Sequence, residues 1–106
     1  MNEYEAYIAR CKAPKRMSQI KRVLTALIAG AKQNWDNATL ATKMNTALVL
    51  TIMGKRWTPN NTAMAILKAT RFDADSSLAY GLASMLQAGE VTPEELAILR
   101  GRTRLA

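Results

Sequence analysis

At 106 residues the chain is the size of one domain, long enough to bury a hydrophobic core without help from a metal or a disulfide. Its 49% hydrophobic and 6% aromatic content is mostly Ala, Leu, Ile and Met, and its single cysteine, Cys11, excludes an internal disulfide and a cysteine-based zinc site; an all-α fold in a reducing, cytoplasmic setting is expected. Fifteen Lys and Arg against eight Asp and Glu give a net charge of +7. The excess is uneven: residues 1–71 hold twelve basic and three acidic residues, whereas residues 72–106 hold three and five. Such asymmetry favours a polyanionic partner, because Lys and Arg that neutralise phosphates release condensed counterions, although charge kept only for solubility would look the same. The opening residues, with Glu3 and Glu5, do not read as a secretory signal. No apolar run approaches the roughly 20 residues needed to span a bilayer, so no membrane partner is expected.

In chain order, Asn2 and Glu5 resemble a capping box opening a short helix that ends before Pro14. Ser18 can cap a second helix over 18–32, where Ile20, Val23, Leu24, Leu27, Ile28 and Ala31 trace one apolar face that serves as core element, dimer seam or both. The polar run 33–37 leads into a helix over about 38–45 with Leu40, Ala41 and Met44 inward. From Leu48 to Ile52 the chain turns β-branched and apolar until Gly54 breaks it, predicting a turn or short β-hairpin. Thr58-Pro59 reads as N-cap plus first helical position of a helix over 59–70. Asp73 or Asp75 can cap the next helix, which Gly89 ends in the left-handed conformation. Thr92-Pro93-Glu94-Glu95 opens a last helix to about Arg100. The sum is one helical domain over 1–106, a bundle of five to six helices with no repeat.

The segment 38–71 pairs two short helices across a connector holding Gly54, Lys55 and Arg56, a helix-turn-helix-like arrangement whose second helix, 59–70, would enter the major groove of DNA. Helix N-termini favour phosphate, and amide side chains can pair with adenine edges. Asn60, Asn61 and Met64 are therefore the candidate base contacts, and Lys43, Lys55, Arg56, Thr58, Lys68 and Arg71 the candidate phosphate contacts.

The run Met44-Asn45, Val49, Thr51, Gly54-Lys55-Arg56-Trp57-Thr58-Pro59 and Thr62 through Ile66-Leu67 resembles the helix-turn-helix part of the recombinase domain of large serine recombinases. In that family the pattern is an apolar-Asn pair, a Gly-Ile-x-Thr stretch, Gly-x-x-Trp-Ser/Thr and a helix with Val-Arg-Arg-Ile-Leu. Here the glycine after the Asn falls on Leu48, the helical Arg-Arg falls on Ala63-Met64, and Ala65-Ile66 stand where the family has Ile-Leu. Nothing resembles the catalytic serine domain. The resemblance implies a DNA-binding module without strand cleavage, of a kind that suits a regulator on a phage or mobile element.

Other readings of the same residues stand beside these. Trp57 reads as a packing residue rather than a base-stacking platform, and Asn60 and Asn61 as base contacts or plain first-turn residues. The methionines at 17, 44, 53, 64 and 85 read as adaptable core filler, and Arg100, Arg102 and Arg104 as a frayed terminus or an arm reaching a groove. The chain has no histidine, no Cys/His pair and no phosphate-cradling glycine loop, so no enzyme, cofactor or metal is expected. The close carboxylate pairs, Asp73/Asp75 and Glu94/Glu95, occupy cap positions. The leading expectation is a small non-catalytic protein binding double-stranded DNA, a transcriptional or mobile-element regulator acting as a homodimer. The alternative is an adaptor or inhibitor docking a basic surface on an acidic protein; RNA ranks lower, since few aromatics are available to stack on bases.

Overall fold

Local chemistry at the helix ends sets most of the architecture. The computed structural model describes residues 2–103 and contains α1 (Glu3–Arg10), α2 (Met17–Lys32), α3 (Asn37–Thr46), α4 (Pro59–Ala69), α5 (Ser77–Gln87) and α6 (Pro93–Gly101), with no strand among the described residues. All helices but α2 open on a side-chain acceptor: Asn2, Asp36, Thr58, Ser76 and Thr92 each take a first-turn backbone N–H. At Thr58 and Thr92 the box is reciprocal, with Asn61 and Glu95 reaching back to the cap's own N–H. At α1 only half of the expected box forms, since Glu5 instead accepts from the Asn2 side-chain amide at 3.0 Å.

Three helices end in the same way. Asn34 (φ +60°), Leu48 (φ +58°) and Gly89 (φ +77°) turn left-handed after α2, α3 and α5. In each the next residue's N–H reaches back across the turn: Trp35 to Gly30, Val49 to Met44 and Glu90 to Met85. These Schellman closures satisfy carbonyls the helix would otherwise leave bare.

Three local expectations are corrected. Ser18 caps nothing: α2 starts earlier, from Arg16, which makes no side-chain cap. Neither Asp73 nor Asp75 caps α5; Ser76 does, because the Tyr7 hydroxyl fixes that entry, donating to Ala74 O at 2.8 Å and accepting from Ser76 N–H at 3.0 Å. Burial pushes the Tyr7 phenol up, so it stays a neutral donor. The connector after α3 is a turn and not a hairpin.

α2 is the spine. Its stripe is consumed inside the fold, with Val23, Leu24 and Leu27 fully buried, so none of it is left as a dimer seam. Two glycines let neighbours approach: a Cβ at Gly81 of α5 would meet Ile20, and one at Gly30 of α2 would meet Leu40 of α3. α1 packs on α5, α6 on α2 and α4, and α4 on α3 and α5. Buried apolar side chains from all six helices join in one cluster. α4 is thus held from behind by α3, α5 and α6, leaving its far side to solvent.

Candidate nucleic-acid interface

Residues 47–58 join α3 to α4, and a chain of specific hydrogen bonds fixes their path. The Asn45 side chain accepts from Trp57 N–H at 2.7 Å and donates to Trp57 O at 2.8 Å, stapling the end of α3 to the start of α4. The Trp57 ring is buried and its Nε1 donates to Val49 O, so the indole packs and does not face solvent. Thr51 closes the tip: it donates to Lys55 O at 2.9 Å and its hydroxyl accepts from Lys55 N–H at 2.9 Å, while Gly54 adopts φ +79°. From behind, Gln19 and Arg16 of the α2 start donate to Leu50 O and Ile52 O at 3.0 and 3.1 Å. Asn45, Thr51, Gly54, Trp57 and Thr58, five of the residues in the run from Met44 to Leu67, build this turn.

The candidate base contacts separate. Asn60 is exposed on the first turn of α4 with no side-chain bond among the described residues. Asn61 is committed to the cap: its Oδ1 accepts from Thr58 N–H at 2.7 Å and its Nδ2 donates to Arg56 O at 3.1 Å, which ties both ends of its amide to the connector. Met64 is 43% exposed and borders clefts on either side of α4, one shared with Met53 and Lys68, the other with Ala63 and Arg102. It stands on a ridge between them.

The candidate phosphate contacts also divide. Lys55, Arg56 and Lys68 are exposed and make no salt bridge among the described residues. Lys43 is exposed on α3 with its Nζ 5.5 Å from the Trp35 ring centroid. The Thr58 hydroxyl accepts from Asn61 N–H at 3.1 Å, which leaves its proton to donate. Arg71 is neutralised by Asp73 at 3.1 Å, a pair that holds the Asp73 carboxyl below its usual range.

Elsewhere three basic residues are paired with carboxylates, Lys21 with Glu90, Lys32 with Glu95 and Arg100 with Glu3, while Lys12, Lys15 and Arg22 are exposed and form no salt bridge among the described residues. The arm at the C-terminus is corrected in part, since Arg100 also donates to Thr70 O and Arg102 to Asn37 Oδ1, while Arg104 lies outside the described residues. The methionines are corrected too. Met44 and Met85 are buried and Met17 half-buried, but Met53 is 80% exposed, and with Leu48, Leu50 and Met64 it concentrates apolar exposure on one segment. Helical periodicity carries little signal for that patch, because Leu48, Leu50 and Met53 lie in the non-helical connector and only Met64 is on a helix. Among the described residues no group of three His, Cys, Asp or Glu side chains could hold a metal ion. No described helix is long and apolar enough to cross a membrane. No protein-family model, curated protein or solved structure matches this chain.

Proposed function

We propose that this protein binds double-stranded DNA without acting on it chemically, laying α4 in the major groove as a regulator of transcription or of a mobile element. The observation that carries the reading is the outward face of α4. Asn60, Met64 and Lys68 follow one another at four-residue spacing along one exposed stripe, flanked at the N-terminal end by Lys55 and Arg56. Lys55, Arg56 and Lys68 form no salt bridge among the described residues and stand at the ends of this stripe, whereas Lys12, Lys15 and Arg22, also exposed and without one, stand before or within α2.

Physical fit supports the same assignment. α4 spans roughly 16 Å, and the major groove, about 12 Å wide, admits a helix. Asn60 supplies an amide for an adenine edge and Met64 an apolar contact for a thymine methyl. Lys55, Arg56 and Lys68 fall at the two ends of the reader and would meet phosphates, positioning it without reading sequence. The resemblance to the helix-turn-helix of large serine recombinases points the same way. The family's Arg-Arg pair is Ala63-Met64 here, so the sequence read would differ. None of the six aromatic side chains is fully exposed, which removes the stacking platform that single-stranded RNA readers use. A lone cysteine suits a cytoplasmic setting.

The test is fluorescence anisotropy with random-sequence duplex at about 50 and 200 mM salt, the range over which phosphate-driven affinity collapses. Salt-sensitive binding supports the reading, and no binding at the lower salt removes it.

A further inference from the structure

The exposed apolar surface beside α4 has a shape of its own. Between the connector and the α4/α5 pair run two clefts of about 260 and 520 Å3 that share Ile52, Met53, Met64, Lys68 and Leu78, and so form one continuous groove. The residues common to both clefts are aliphatic and thioether but for Lys68, with Thr51 and Asn61 at one end and Ser76 and Ser77 at the other. Met53, 80% exposed, and Met64, 43% exposed, stand on opposite lips. Lys55 and Lys68 rim it, neither with a salt-bridge partner among the described residues, and the Arg16 guanidinium sits behind at Ile52 O. The far end is less basic, because Arg71 is paired with Asp73 and the Asp75 carboxylate, which accepts from the Cys11 thiol, places a negative charge there, so the acidic residues of an occupant belong at the Lys55 and Lys68 end.

We infer that this groove is a docking site for an acidic amphipathic helix of a partner protein, its apolar residues seated between Met53 and Met64 and its carboxylates facing Lys55 and Lys68. Helix-in-groove recognition reads apolar anchors at i, i+4 and i+7, the chemistry these walls offer, and flexible methionine lips can repack around such anchors. Clustered apolar exposure rimmed by polar groups marks interaction surfaces. The charge selects the occupant. A second copy of this chain would bring its own Lys55 and Lys68 against the same cations, whereas glutamates and aspartates complement them. Because Lys55 and Lys68 also serve the proposed DNA surface, such a partner would displace DNA. That consequence rests on the preceding reading; the groove itself does not.

The test uses full-length protein carrying 13C-methyl methionine. The probe is a synthetic helical peptide with leucines at i, i+4 and i+7 and glutamates on its flanks. Saturable shifts of the Met53 and Met64 methyl signals, with Met44 and Met85 unmoved, are expected. The same peptide with lysine for glutamate should fail to bind. Met53→Ser, an uncharged change on an exposed side chain, should weaken the peptide at least about tenfold while leaving the thermal unfolding of the protein unchanged. Absence of shifts at about 1 mM peptide, where even weak complexes form, overturns the proposal. Equal binding of the lysine peptide or of a shuffled one overturns it as well. The methyl readout needs no DNA, so failure of DNA binding leaves it standing.

Discussion

Asn45 and Trp57 share a reciprocal pair of hydrogen bonds, 2.7 and 2.8 Å, in which one side chain satisfies both backbone groups of a residue beyond the connector. Asn45→Ala would leave both groups without their partner in a partly buried place, at about 1–3 kcal/mol each. The variant should be less stable by about 2–6 kcal/mol in urea, and it should bind DNA more weakly even where folded, because α4 loses its anchor to α3.

The left-handed closure of α3 makes the opposite prediction. Leu48 holds φ +58° while 76% exposed, so its side chain contributes little packing to offset the backbone cost. For a residue with a Cβ that conformation costs about 1–2 kcal/mol, part of which the greater unfolded-state freedom of glycine takes back. Leu48→Gly should therefore stabilise by about 0.5–1 kcal/mol, seen as a rise of several degrees in Tm. Gly54→Ala, at φ +79° with open space around its Cβ, should destabilise by a similar amount.

Adjacent asparagines should behave differently. Asn61→Ala removes a side chain that bonds Thr58 N–H and Arg56 O, and should cost about 1–2 kcal/mol of stability. Asn60→Ala, exposed and unbonded, should leave unfolding unchanged and instead relax sequence preference in a binding-site selection, with the salt slope preserved.

Acid should loosen the α2/α6 contact. The Glu95 carboxyl is held below its ordinary value of 4.5, first by the Thr92 backbone N–H and then by Lys32. A depressed folded-state value contributes stability that is present above the unfolded value and lost as pH falls through the folded one. Thermal melts from pH 6 downward should hold until about 4.5 and then fall, and Glu95→Gln should flatten that part of the curve.

Much of this fold is legible because its signals are local. Thr58-Pro59, Thr92-Pro93-Glu95 and the stripe from Ile20 to Ala31 each need only a few neighbouring residues to be read, and each stands where the spacing places it. The start of α5 is different. Asp73, Asp75 and Ser76 are all competent caps by composition, and the choice falls to Ser76 through the Tyr7 hydroxyl, a contact from the other end of the chain. The candidate site divides in the same way. The surplus of Lys and Arg is visible in the sequence, but which of them are free is not, since Arg100 meets Glu3, Lys21 meets Glu90 and Arg102 meets Asn37 only after folding. Composition makes Asn61 a candidate reader and Met53 a core residue, whereas the cap holds the Asn61 amide and the connector turns Met53 outward.

The central claim is that the free cations around α4, and not the overall charge, hold DNA. The most direct measurement compares duplex binding of the double variant Lys55→Glu with Arg56→Glu against Lys12→Glu with Arg22→Glu, which makes the same charge change at exposed positions outside the α3–α4 segment. The account predicts that the first variant loses detectable binding at about 50 mM salt, while the second weakens it modestly and keeps most of the salt slope. Equal losses in the two variants would contradict it, because the affinity would then belong to the net charge alone.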